Sequence, residues 1–476
     1  RISSRLPTTT RAAEDALTEA LTVDLASMQN DPIKFAWNMD LIAGRLMPSS
    51  YYGFKTDATD PDQIAQDFLD YTTSNLLWIY DQVPADIRER SKQWYVGANA
   101  ISNRLAAQYN MPLQSVAGVM AALSPQKDWF QNASMGERLI DIHEKFIRGD
   151  SAGFVADQAM VDWATNKWLT LPKKERKKKR KTNKDPEKEA AAVSRDKKAA
   201  AKWKTAQAAK KKDIDVWQQQ LESIFATPYA ELDTTREQAI WLRMYDETHN
   251  AKGYRTLTPE GQWIGKATGK VAWGSFSEIG KAINSLKDPS FENITKIMGN
   301  KNKVRNFYNN ILSPNNQYGD VTIDTHAVAA ALLRGLSGNS PEVHHNFGSS
   351  PAAGKRPADW VPAKNDNDTG AQGTYGIYAE AYRVAAVARG VEPREMQSIT
   401  WEAVRGLFTA SFKQQSSNVE AIDNVWKEYD NKTLTLKEAR TKVLGIADGI
   451  NKPEWVDARN RGDEEIGAAS YDGELS

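Results

Sequence analysis

The chain contains no cysteine. That excludes a disulfide framework, a thiolate zinc site, a cysteine-held iron–sulfur cluster and a cysteine nucleophile. The compartment stays open, and a reducing cytosol is compatible. No run approaches the roughly 18 consecutive apolar residues of a membrane-spanning helix, so no membrane partner is expected. Arg1 to Leu21 holds no apolar core of the signal-peptide kind. The chain begins on Arg1 rather than Met, as a processed or trimmed chain would. Histidine is scarce, at five. The His344–His345 pair has no third ligand beside it, so neither a metal nor a cofactor is expected.

What is present is ample material for a core. The 476 residues fit two to four domains, and 40% of them are apolar. The net charge of +1 conceals an asymmetry. From Lys173 to Lys212 there are 18 Lys and Arg against 5 Asp and Glu, a net of +13, so the rest carries −12. The composition of that block fits a solvated helix or disorder. As a nucleic-acid clamp, through residues such as Lys177, Lys178 and Lys179, it would make binding steeply salt-dependent. As a linker or localisation tag it would not. Trp203 is its one large apolar residue.

Helical periodicity recurs along the chain. Ala12 to Met28 reads as helix. Asp62 to Gln82 repeats Ile64, Phe68, Leu76, Leu77 and Tyr80 at helical spacing. Ile87, Trp94, Ala98, Ile101 and Leu105 mark one apolar face. Pro112 suits a helix first turn, and Val116 to Leu123 is apolar enough to be buried. A helix from about Trp129 to Phe146 follows. Val216 to Phe225, Glu237 to Tyr245, Phe276 to Leu286 and Lys303 to Leu312 are further helices. Tyr254 to Gly261 is turn-rich, with room for a short hairpin. Val321 to Leu336 reads as an extended lead-in to an Ala/Leu helix. Residues 337–372 read as a long surface loop. Tyr375 to Ala388 and Pro393 to Phe412 are strong helices, with Tyr375, Tyr378 and Tyr382 on one packed face and Gln397 and Trp401 on a core helix. The tail from Asn451 reads as loose. The fold class is mainly α, with little β.

Two segments carry chemistry. The first is Leu123–Ser124–Pro125–Gln126, followed by Asp128, Trp129 and Asn132. The second runs from Lys301, Lys303 and Arg305 to Ile323–Asp324–Thr325–His326. Together they resemble the helix-hairpin-helix superfamily of DNA glycosylases, over about a quarter of the chain. The spacings around Ser124–Asn132 and Lys303–Ile311 are also similar to uncharacterised phage proteins. Phage relatives of that fold include enzymes of thymine hypermodification. The resemblance implies a glycosylase-like helical core split by a large insertion. The implied divisions are an N-terminal helical arm over 1–84, a first half of the core over 85–148 and an insertion over 149–275. A second half over 276–420 and a C-terminal helix and tail over 421–476 complete them.

The resemblance also implies a function. Asp324 takes the place of the catalytic aspartate. Gln126, Asp128, Asn132 and His326 border the pocket of a flipped base or the gap it leaves. Beside the resemblance, the basic residues Lys301, Lys303 and Arg305 after Gly299 are candidates for phosphate contacts by their own chemistry. Double-stranded DNA, natural or modified, is the partner, in a host cytoplasm or a virion. The reaction is glycosidic cleavage, or transfer of an amino acid or polyamine co-substrate to an activated hydroxymethyluracil. A non-catalytic DNA-binding or virion-associated protein on the same scaffold is the remaining alternative. The family's glycine-rich hairpin is not found between Lys303 and Asp324, and Gly299 lies upstream. A Schiff-base lysine and lyase chemistry are therefore not expected.

The residue chemistry has plain readings beside these. A carboxylate at Asp324 stabilises positive charge on a sugar or activates water, and a helix start favours it. It also serves as an N-cap. The Gln126 amide suits a base edge or an interhelical turn. Trp129 and Asn132 suit packing and a helix hydrogen bond. Lys301, Lys303 and Arg305 suit a phosphate site at a helix start or a solvated face. Arg243, Tyr245 and Arg255 suit the surface, or a second anionic substrate.

Overall fold

The computed structural model describes residues 24–170 and 216–449, except 49, 126, 128, 269, 300–301, 316–318 and 349–372, with a few single positions between 193 and 214. In chain order the first helices are α1 (Leu25–Gln29), α2 (Pro32–Ile42), α3 (Pro61–Gln82), α4 (Ala85–Ser91), α5 (Trp94–Gln108), α6 (Leu113–Ala122), α7 (Trp129–Arg148) and α8 (Gln158–Ala164). α9 covers 216–226 and α10 is Thr235–His249. The strands β1 (Tyr254–Leu257) and β2 (Trp263–Thr268) follow. Then come α11 (Phe276–Lys287), α12 (Phe291–Met298), α13 (Asn302–Leu312), α14 (Thr325–Leu332), α15 (Pro341–Asn346), α16 (Tyr375–Arg389) and α17 (Pro393–Leu407). α18 (Ala410–Gln414), α19 (Ser416–Asp430) and α20 (Leu436–Ile446) close the described chain. The fold is mainly helical, as the periodicity predicts. The described residues divide into two compact units, one of 24–136, 253–274 and 284–449, the other of 137–252 and 275–283.

The first unit is organised around α3, α14, α16 and α17. α3 starts on the Asp60 cap with Pro61 in its first turn. Its Ile64, Phe68, Leu76 and Ile79 are fully buried, and it packs against α16. So 61–82 is not part of a separate arm: its apolar face is wide enough to demand cover on several sides. Its buried Asn75 donates to the Ala331 carbonyl (2.9 Å) and accepts from Arg440 (3.0 Å). Tyr375, Tyr378 and Tyr382 of α16 are buried on one face. Part of the expected surface loop 337–372 is also core. Pro341 starts α15, whose Glu342 holds Arg334 at 2.6 Å inside the unit. A polar and proline-rich composition hides such a helix because most of its buried groups, Glu342, His345 and Asn346, are polar and only Val343 is apolar.

The β1–β2 hairpin belongs to this first unit, not to the insertion read from the sequence. It turns at Gly261 (φ +84°) and lies on α5 at Gly97, where a Cβ would sit 2.1 Å from the Pro259 carbonyl oxygen. Two glycines there let two backbones touch.

The second unit is built on the later part of α7, on α8 and on α10. Thr234 and Glu237 form a capping box at the start of α10. Phe146, Phe154, Trp241 and Tyr245 pack mostly edge to face, Phe146 and Trp241 with centroids 4.7 Å apart. Arg138 and Asp246 form a buried ion pair at 3.4 Å. Trp168 and Trp217 stack at 4.9 Å, so the two ends of the stretch carrying the basic block are held together.

Candidate functional site

α6 is buried from Ser115 to Ala122. A Cβ on its Gly118 would come 2.7 Å from Ser285, so only glycine admits α11 this closely. The helix ends at Leu123, which frees the Ser124 carbonyl. Lys303, in the first turn of α13, donates to that carbonyl at 3.1 Å. The Asn132 amide in α7 donates to the Met120 carbonyl at 3.0 Å. The turn between α6 and α7 is thus anchored on both sides.

Residues 319–324 form the second wall, and they are extended without joining a sheet. Tyr375 supplies the missing ladder: its hydroxyl donates to the Val321 carbonyl (2.7 Å) and accepts from the Ile323 N–H (3.0 Å). Asn346 donates to the Ile323 carbonyl at 3.2 Å and Arg383 to the Gly319 carbonyl at 3.0 Å. This accounts for buried backbone groups that would otherwise be costly. The clamp delivers Asp324 to the N-terminus of α14, a helix buried from Ala327 to Leu332.

These walls, with α5 and α17, enclose a cavity of about 110 Å³. Trp94, Trp129, Phe307 and Trp401 supply its aromatic surface; Ser124, Asn132, Lys303, Asp324, His326 and Gln397 supply its polar groups. Trp94 meets Trp401 edge to face at 5.6 Å, and Trp129 meets Phe307 likewise at 5.8 Å. The Trp94 indole N–H donates to Glu402 at 2.8 Å, which fixes that ring. The Arg405 guanidinium lies over Phe130 and Trp401.

Asp324 is both a cap and a charged wall group. Its Oδ1 accepts from the Ala327 N–H at 2.8 Å, and its Oδ2 lies 3.7 Å from His326 Nδ1. The side chain is 23% exposed, so the cavity reaches it. Burial would raise its pKa. The contact with His326, the Lys303 ammonium and the Ala327 N–H outweigh that and hold the carboxyl below its ordinary value. The group is therefore ionised at neutral pH. Lys413 answers to the same charge: burial lowers its pKa, and Asp324 opposes that.

The structure brings Asn132, Lys303, Asp324 and His326 together from two stretches far apart in the sequence. Arg305 is a correction to the phosphate-binding expectation. It is 3% exposed, donates to Thr295 Oγ1 at 3.1 Å and stacks on Phe291 and Tyr308. It points inward because α13 presents Val304, Arg305 and Tyr308 to the core and Lys303 to the cavity. Helices α12 and α13 are joined through 299–301, and Gly299 takes φ +58°. The short link between these two helices thus precedes Lys303, which lies in the second of them, and does not fall between Lys303 and Asp324. Gln126, Asp128, Lys301, Lys177, Lys178 and Lys179 lie outside the described residues. His345 is buried with its Nδ1 3.0 Å from the Tyr51 hydroxyl, and no cluster of metal-ligating side chains occurs among the described residues. Tyr245 accepts from Lys145 at 2.8 Å and stacks between Trp241 and His249, as a packed residue does.

Sequence reasoning missed the α5 and α17 walls. Trp94, Gln397 and Trp401 read as core positions because a cavity wall carries the same apolar period as a core face, and Tyr95 carried no signal of its own. The one usable signal was Gln397 four residues before Trp401, a polar side chain sharing a face with a large aromatic.

A family model described as a family of unknown function (DUF7178) matches residues 59–184 and 358–408. The matched stretches include Trp94, Asn132, Gln397 and Trp401, whereas Lys303 and Asp324 lie between them. No curated protein and no solved structure matches the chain.

Proposed function

We propose that the chain is an enzyme that acts on a base of DNA, taken out of the stack into the aromatic-walled cavity. The observation that carries the reading is Asp324: an ionised carboxylate on the wall of a ring-sized cavity, with Lys303 and His326 beside it. An enzyme working on a base must extrude it, and needs flat apolar surfaces to replace the lost stacking. Trp94, Trp129, Phe307 and Trp401 offer such surfaces. Breaking the bond between base and sugar builds positive charge on the sugar ring. A carboxylate whose pKa is held down is a weak proton acceptor at neutral pH, since a general base works best near the operating pH. Asp324 is better suited to stabilise that charge electrostatically. Water then adds at the sugar carbon, the carbon–nitrogen bond breaks, and the base leaves with the proton that water gives up.

Of the residues that carry the resemblance to DNA glycosylases, Ser124, Asn132, Lys303, Asp324 and His326 line this cavity. Lys303 is placed to neutralise Asp324 before substrate arrives. The test is mass spectrometry of free bases and nucleosides after incubation with natural DNA and with DNA carrying hydroxymethyluracil or its pyrophosphorylated form. Amino acids and polyamines are supplied in parallel. A released base that disappears in Asp324→Asn supports excision. An adduct that disappears in the same variant supports group transfer at the same site. No change in any DNA, from protein that is folded and binds DNA, overturns the reading.

A further inference from the structure

Cleavage of the bond between base and sugar leaves one proton to be moved. Water gives it up as its oxygen bonds to the sugar carbon, and the departing base takes it. The groups lining the cavity differ in whether they can carry it. Asp324 is held below its ordinary value, so it accepts poorly at neutral pH. A lysine ammonium, as at Lys127 or Lys303, has no lone pair to accept with. The Tyr95 hydroxyl donates to Gln397 Oε1 at 2.9 Å, and burial pushes its pKa up, so it keeps its proton. His326 is left. Imidazole is the side chain whose ordinary charge change falls between about pH 5 and 8.

His326 stands in the first turn of α14, on the cavity wall. Its Nδ1 lies 3.7 Å from Asp324 Oδ2, its ring meets Trp401 edge to face at 6.1 Å, and its side chain is 30% exposed. The ring is thus held by two neighbours and still open to a ligand. A carboxylate beside Nδ1 favours the tautomer with the proton on that nitrogen, which leaves the Nε2 lone pair to accept. The same carboxylate, bonded to the Ala327 N–H through Oδ1, favours the imidazolium once it forms. We propose that His326 is the proton relay of this site. Its Nε2 takes the proton from the attacking water as the oxygen bonds to the sugar carbon. It then gives that proton to the base nitrogen, which has received the electron pair of the broken carbon–nitrogen bond. The imidazole ends as it began, so the step needs no further reactant. His326 is then a catalytic residue, and Asp324 acts both on the sugar and on the ring. This rests on the base-acting reading and names the group that moves its proton.

The experiment is the pH dependence of kcat and KM for the full chain, between about pH 5 and 8, on the DNA that gives an Asp324-dependent product. The rate should fall towards the acid end, because the imidazole must start without its second proton. Asp324 cannot supply that limb, since its carboxyl titrates below the ordinary value of about 3.9. The other charged groups on the elements around the ring are Lys303 on α13, Lys127 ahead of α7, Arg405 over Trp401, Glu402 bonded to Trp94, and Lys413 on α18. His326→Gln should lower kcat by about 10²–10⁴-fold, flatten the profile and leave KM unchanged. The variant keeps Asp324 and its bond to Ala327, so the start of α14 is preserved. A raised KM with kcat and its acid limb intact means that the ring only grips the substrate, and overturns the inference. An acid limb that survives in His326→Gln also overturns it. In both cases the Asp324-dependent product leaves the base-acting reading standing. Absence of such a product from every DNA overturns that reading and the relay together.

Discussion

Asp324 holds a helix end and a charge, and two substitutions separate the roles. Asp324→Ala removes both the bond to the Ala327 N–H and the carboxylate. Asp324→Asn removes the charge and keeps an acceptor, because asparagine caps a helix about as well as aspartate. Loss of the cap costs about 1 kcal/mol. The charge near the helix start adds about 0.3–1 kcal/mol at a partly exposed site. The alanine variant should therefore lose about 1–2 kcal/mol in urea unfolding, and the asparagine variant less than half of that. Both should lose activity alike, by about 10²–10³-fold if the carboxylate stabilises charge in the transition state. The pKa direction adds a second reading. Because the folded-state value lies below the unfolded one, the carboxylate's contribution is full above the ordinary aspartate value of about 3.9 and is lost only as pH falls through the lower folded value. The stability gap between wild type and Asp324→Asn should stay flat from pH 8 to 5. A gap that closes between pH 7 and 5 refutes the electrostatic account. Unchanged turnover in Asp324→Asn refutes the catalytic one.

Three further outcomes test the frame. Arg334→Met should cost about 3–5 kcal/mol in denaturant unfolding, because it strands Glu342, bonded at 2.6 Å, inside the unit and also deprives Asp423 of its partner. A cost under about 1 kcal/mol would mean that the pair is not buried as described. Gly97→Ala should cost about 1–3 kcal/mol and expose 254–268 to protease first, since its Cβ meets the Pro259 carbonyl, which is backbone and cannot swing aside. His345 has its pKa pushed down to about 3 by burial, with His344 adding to the shift and Glu342 opposing it. The folded state keeps it neutral while the unfolded chain protonates below about pH 6.5, so stability falls as pH drops towards 3, by about 1.4 kcal/mol per unit. His345→Gln should lose about 2 kcal/mol less than wild type between pH 6.5 and 5, and an equal loss contradicts the buried neutral imidazole.

What the sequence could disclose follows from which physical signals are local. Helix periodicity and caps are local, so α3, α6, α7, α13, α16 and α17 are legible from spacing alone, and so is the burial of Tyr375, Tyr378 and Tyr382. The Asp324 cap is legible for the same reason: an acidic residue stands directly before an Ala/Leu run. Direction is not local. Lys303 and Arg305 are two residues apart on one helix, and the charge pattern treats them as one basic patch. The helix turns them about 200° apart, one into the cavity and the other onto Phe291 and Tyr308. The short helix α15 escapes notice because, beside Val343, its buried groups are Glu342, His345 and Asn346, whose partners Arg334, Tyr51 and the Ile323 carbonyl lie elsewhere in the chain. The walls of the cavity escape for a related reason. Trp94 and Trp401 satisfy the same apolar pattern whether they face a neighbour or an empty space. Only the three-dimensional arrangement reveals that the space is there. A wall of edge-to-face rings has no sequence motif, because its information lies in the space the rings leave between them.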